Sequence, residues 1–142
     1  MSEKKRLRAV VIDGQGGGLG RQIVTVLRKE WDGTVLEITA VGTNSAATAA
    51  MHKAGADHAA TGENAVIVAA RRADVIIGPI GIVIADALWG EISPAMAVAV
   101  GQSAAKRILI PVNQCGNIVA GVSDLRISAL LDAACDEIRA LL

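Results

Sequence analysis

Val10-Val11-Ile12-Asp13-Gly14-Gln15-Gly16-Gly17-Gly18-Leu19-Gly20-Arg21 is the stretch on which the fold turns. An apolar run suited to a strand meets five glycines within residues 14–20. The chain then enters a segment with Ile23, Val26, Leu27 and Glu30 at helical spacing. Strand, glycine turn and helix form the outline of a phosphate-binding unit. Glycines let the backbone turn tightly and approach a phosphate without Cβ clashes. Free N–H groups and the dipole at the start of the helix then favour an anion.

The same alternation continues outward from the loop. Residues 8–12 read as a first strand and 18–29 as a first helix. Residues 34–41 read as a second strand, and Asn44 or Ser45 caps a helix that runs to Ala54 and stops at Gly55. Residues 57–60 form a third strand, and Thr61-Gly62-Glu63-Asn64 opens a helix to Arg72. Val75–Gly78 is a fourth strand, apolar enough to be buried on both faces. Residues 80–89 read as helix. Ser93-Pro94 is a further helix start, since Pro suits the first helical position and Ser accepts a backbone N–H. Residues 107–111 and 118–122 read as a fifth and a sixth strand, and 128–142 as a final amphipathic helix. This pattern predicts a single α/β domain over residues 1–142, with residues 1–7 a flexible basic tail. Its architecture is a Rossmann-like, doubly wound parallel sheet of five to six strands with helices on both faces.

Composition narrows the function. The chain has 142 residues, 52% of them hydrophobic, so a core is easily built. Fourteen basic residues balance fourteen acidic ones, so no global field attracts nucleic acid. Trp31 and Trp89 are the only aromatic residues, which leaves no stacking platform for single strands. No apolar stretch is long enough to span a bilayer, and none before Asp13 reads as a signal peptide. A cytoplasmic protein is expected, with no membrane or nucleic-acid partner. Cys115 and Cys135 form no CxxC pair, and His52 and His58 are six residues apart, so no metal site is expected.

In open parallel sheets, ligands lie beyond the carboxyl ends of the strands. That rule collects the expected cofactor-binding positions. They are Asp13, Gly14, Gln15, Gly16, Gly17, Gly18, Leu19 and Gly20 after the first strand, and Thr43, Asn44 and Ser45 after the second. Thr61, Glu63 and Asn64 follow the third strand, and Gly78, Pro79, Ile80 and Gly81 the fourth. The end of the second strand has no acid to bond a ribose 2′-hydroxyl, and its small polar groups would suit a 2′-phosphate. That favours NADP over NAD as the cofactor. Catalytic candidates are Cys115, Glu63 and Asn113. Cys115 lacks a neighbour that would lower its pKa, and a packed thiol is the plainer reading. Asp86 and Glu91 read as a cap and as a solvated or interfacial acid.

Gly14-xxx-Gly18-Leu19-Gly20 resembles the GxxxGxG loop of short-chain dehydrogenases. That resemblance implies a nucleotide pocket but not the family's chemistry. The family's acid is the Tyr of a Tyr-x-x-x-Lys pair, and this chain has no tyrosine. A wider set also stands out: Ile12-Asp13-Gly14-Gln15-Gly16-Gly17-Gly18-Leu19-Gly20, Gly42-Thr43-Asn44-Ser45, Ala54-Gly55-Ala56-Asp57, Thr61-Gly62-Glu63-Asn64, Gly78-Pro79-Ile80-Gly81 and Gly90-Glu91-Ile92. Together these resemble a family of short prokaryotic proteins catalogued as a domain of unknown function, which implies a self-contained domain and supplies no substrate.

Two functions follow. The first is a nucleotide-binding protein, an oxidoreductase without Tyr–Lys chemistry or a cofactor sensor. The second is a non-catalytic assembly or adaptor protein whose glycines serve packing alone. Under both, the apolar region Ile80–Val100 is the expected homo-oligomer interface, because Ala95–Val100 has little polar face.

Overall fold

The computed structural model describes residues 5–112, 116–122 and 126–142. Five strands form one parallel sheet: β1 (Leu7–Asp13), β2 (Leu36–Gly42), β3 (His58–Thr61), β4 (Val75–Pro79) and β5 (Lys106–Ile110). Their order across the sheet is β3-β2-β1-β4-β5. The helices are α1 (Gly18–Glu30), α2 (Ser45–Lys53), α3 (Glu63–Arg72), α4 (Pro94–Gln102) and α5 (Ile127–Leu141). This is the expected doubly wound α/β arrangement.

The strand sequences account for the layering. β1 and β4 carry Val10, Val11, Ile12, Ile76 and Ile77, all buried, so the centre of the sheet must be covered on both sides. Burial of one such side chain contributes about 1.5–3 kcal/mol. On one face, Val11, Ile38 and Ile77 pack with Ile23, Val24 and Leu27 of α1, Met51 of α2 and Ile138 of α5. On the other, Ile12, Val41 and Ile76 pack with Val66 of α3 and Met96 and Val100 of α4. Cys135 lies in the first of these clusters, as its place on the final helix suggested.

Two expected elements are absent. Residues 118–122 form no strand, so the described sheet has five strands, not six. The segment has four apolar residues, Ile118, Val119, Ala120 and Val122, but Gly116 just before it and Gly121 within it both have φ 82°, which breaks an extended run. Residues 80–89 form no α-helix either. A 3₁₀ turn covers Ile80–Val83, and residues 84–92 are a strap of turns. In the strap Asp86, Leu88 and Trp89 have φ of 67°, 55° and 58°, in the left-handed region where non-glycine residues are rare. The apolar side chains that suggested a helix are used differently: Ile82, Ala87, Leu88 and Ile92 seat the strap on the α3–α4 face of the sheet. At the other end of the chain, Leu7 is already in β1 and Arg6 bonds Gly33 O and Glu37.

Candidate functional site

The glycine loop closes at the carboxyl end of β1, as a strand–turn–helix must. Gln15 and Gly17 are left-handed, with φ of 51° and 73°, and the Gly17 amide donates to Gly14 O at 2.9 Å. The Asp13 carboxylate bridges the turn. Its Oδ1 accepts from the Gly14 amide at 2.8 Å and its Oδ2 from the Gly20 amide at 2.6 Å. Asp13 is only 5% exposed. Burial pushes its carboxyl above the ordinary range, the Gly20 and Gly14 amides counter this, and neighbouring Glu91 adds to the rise.

The amides of Gly18 and Leu19, the first two of α1, receive no acceptor from the described residues, and neither does that of Gly16. A hollow of about 220 Å³ lies over them. Its walls are Asp13, Gly14, Gln15, Gly16, Gly17, Gly18, Leu19, Pro79 and Leu88. Among the described residues no lysine or arginine lines it.

The loop glycines divide into two kinds. A Cβ on Gly14 would lie 2.7 Å from Thr43 Oγ1, on Gly17 2.7 Å from Ala47 Cα, and on Gly20 2.5 Å from Met51 Sδ. These three are buried and are required by packing. A Cβ on Gly16 or Gly18 would meet nothing within 4 Å, and neither residue has a positive φ. Both are exposed and face the hollow.

The residue that sequence reasoning misplaced is Glu91. Instead of lying in solvent or at an interface, its carboxylate lies across the loop. Oε1 accepts from Thr43 Oγ1 at 2.7 Å, Asn44 Nδ2 at 2.7 Å and the Gln15 amide at 3.0 Å, and Oε2 lies 3.1 Å from the same amide. Burial alone would raise its pKa, but the bonds from Thr43, Asn44 and Gln15 outweigh that and hold it below the usual range. Glu91 is separated from the loop by 76 residues, and only the left-handed turn at Leu88, Trp89 and Gly90 swings it there. The one available signal was Gly90, at a turn just before the acid.

Other expected positions do less. Asn44 caps α2 through Ala47 N at 2.9 Å and also donates to Gln15 O. Ser45 and Asn64 are exposed. Thr61 bonds Thr48 at 2.7 Å, and Glu63 accepts from Ser93 Oγ at 2.6 Å, which ties α3 to the start of α4. Gly78 is a packing glycine, since a Cβ there would lie 2.4 Å from Ile12 O. Gly81 makes room for Ala87 in the strap, and Ile80 sits beside it in the 3₁₀ turn. Asn113 and Cys115 fall outside the described residues. A larger cavity, of about 520 Å³, lies over β2 and β3 beside α3. It is the part of the sheet that α3 leaves bare, and its acid, Glu37, is already paired with Arg6 and His58.

This fold and loop define an α/β protein with a glycine turn at the carboxyl edge of a parallel sheet. The chain belongs to the family described as a domain of unknown function (DUF3842), which matches residues 8–142. No curated protein and no solved structure matches it. Among the described residues no helix is long and apolar enough to cross a membrane.

Proposed function

We propose that the chain binds the phosphate portion of a nucleotide in the hollow over Gly16, Gly18 and Leu19, with NADP or NAD the class of ligand. The observation that carries this reading is the pair Gly16 and Gly18. Neither packing nor backbone conformation calls for glycine there, and both residues line the hollow over the open amides. Those amides and the α1 dipole supply the attraction, since no cation among the described residues lines the hollow. At about 220 Å³ the hollow holds a phosphate or pyrophosphate and not a whole dinucleotide, since pockets for complete small molecules run from roughly 300 Å³ upward. The nucleoside parts would lie outside it. Thermal unfolding with millimolar NADP, NAD, ADP and pyrophosphate tests the reading. Binding to the folded state raises the midpoint, and Gly18→Val abolishes the rise. No shift with any of the four in the unaltered protein overturns it.

A second role rests on a different observation. Trp89 is 95% exposed at the tip of the strap and Val98 53% exposed on α4, in the region expected to join copies of the chain. Self-association through this region would cover both side chains. Light scattering would read a multimer that Trp89→Ser weakens, and a monomer at high concentration rejects this role.

A further inference from the structure

We infer that Glu91 is an autoinhibitory side chain on the glycine-loop site, which must withdraw before an anionic ligand can engage the loop fully. The inference rests on the phosphate-binding reading given above and adds how the site is controlled. Three donors from two separate segments converge on this one carboxylate: the Gln15 amide, the Thr43 hydroxyl and the Asn44 side-chain amide. All three stand at the carboxyl ends of β1 and β2, the edge where parallel sheets take ligands. While Glu91 holds them, a ligand cannot use them.

Charge acts in the same direction. Asp13 is already one of the residues that line the hollow, and Glu91 is close enough to raise its pKa further. A phosphate entering the hollow meets Asp13 in its wall and Glu91 held against the adjoining Gln15 amide, and among the described residues no lysine or arginine lines the hollow to compensate. Withdrawal of Glu91 therefore frees three donors and removes one negative charge at once.

The fold permits that withdrawal without unpacking. Ala87, Leu88 and Ile92 anchor the strap in the core, and the bonds from Asp86 N to Ile92 O and from Ile92 N to Ala87 O close its base. Trp89 and Gly90 at the tip are exposed. Rotation of the Glu91 side chain, with a small shift of the tip, is enough.

Calorimetric titration with pyrophosphate and with ADP tests the gate on the full chain. Glu91→Ala should bind both probes at least tenfold more tightly than the unaltered protein, and Glu91→Gln, which keeps the size and loses the charge, should fall between. In the unaltered protein, saturation with pyrophosphate should shift the NMR signals of the Gln15 amide and the Asn44 side-chain amide, a readout that does not depend on the variants folding. Equal or weaker binding by both variants overturns the gate, as do unmoved Gln15 and Asn44 signals at saturation. If the probes bind, Gly18→Val abolishes the binding and Glu91→Ala leaves it unchanged, the loop site stands and the gate falls. If neither the unaltered protein nor Glu91→Ala binds either probe, the loop site falls and the gate falls with it.

Discussion

At the amino end of the sheet a carboxylate meets an arginine; at the carboxyl end two carboxylates meet amides and a hydroxyl. Asp57, just before β3, takes the Arg28 guanidinium at 2.6 Å and the Ile38 amide at 2.9 Å. Arg28 also donates to Gly55 O, Trp31 O and Leu36 O, so one side chain joins the end of α1, the start of β2 and the turn before β3. All three guanidinium nitrogens of Arg28 are bonded within the protein, and the corner is closed. Across the sheet, Asp13 and Glu91 occupy some loop amides, while those of Gly18 and Leu19 are left over a hollow. Asp57 and Asp13 both order a turn. One does so with a cation that completes the local balance. The other leaves a net negative site whose remaining donors face outward. A closed corner contributes stability, whereas an open one keeps hydrogen-bonding capacity for something outside the chain.

The largest effect should come from opening the closed corner. Arg28→Ala leaves Asp57 and three carbonyls without their donor. Loss of hydrogen bonds to a half-buried charged group costs about 3 kcal/mol. Urea unfolding should show that drop while nucleotide binding by the folded protein is unchanged. A loss below about 1 kcal/mol would mean that water replaces Arg28 without penalty.

The next test separates the two kinds of glycine within the open corner. In Gly20→Ala the new methyl would lie 2.5 Å from Met51 Sδ and 2.8 Å from Asp13 Cβ. Overpacking of that kind costs about 1–3 kcal/mol. In Gly18→Ala the methyl meets nothing, and the unfolded chain loses freedom, so stability holds or rises by about 0.5 kcal/mol. Thermal melts of the two variants should therefore move in opposite directions. Equal destabilisation would show that Gly18 is also a packing residue.

The smallest effect is in the response to acid, where the two ends differ in sign. At Asp57, burial pushes the carboxyl up, but the Ile38 amide and Arg28 outweigh it and the folded pKa is lowered. Its contribution is complete above the unfolded value of about 3.9 and is lost as pH falls below that through the lowered folded value. At Asp13 the folded pKa is raised. Its charge therefore costs stability at neutral pH, and the cost is relieved as pH falls through the raised value toward about 3.9. Asp57→Asn should flatten the loss of stability below about pH 4. Asp13→Asn should remove the gain between neutrality and that point. Stability curves from urea unfolding across pH would check both, and identical acid limbs for Asp57→Asn and the unaltered chain would break the comparison.

The local patterns were legible because each depends on neighbours in the chain. The apolar runs at Val10–Ile12 and Val75–Ile77, the Asn44 and Ser93 caps and the glycine turn all announce themselves within a few residues, and all stand where expected. The parallel sheet follows, since alternating strands and helices of this length have few other ways to bury their apolar faces. Apolar content misled at residues 80–89 and 118–122. It reports burial and not backbone angle, and Gly116, Gly121 and the left-handed turn at 86–90 broke the elements it suggested.

Glu91 belongs to the other category. Apart from Gly90, nothing within ten residues of it marks a partner for the glycine loop, 76 residues away. Its position follows from Ile82, Ala87, Leu88 and Ile92 seating the strap against the α3–α4 face, which carries the acid to the edge where β1 and β2 end. The distinction between Gly16 and Gly18 on one side and Gly14, Gly17 and Gly20 on the other has the same origin. Five glycines look alike in a row, and the difference between packing and open space appears once Thr43, Ala47 and Met51 are brought against three of them. Local order is written in adjacent residues, whereas the vacancy or occupancy of a site depends on contacts between residues far apart in the chain.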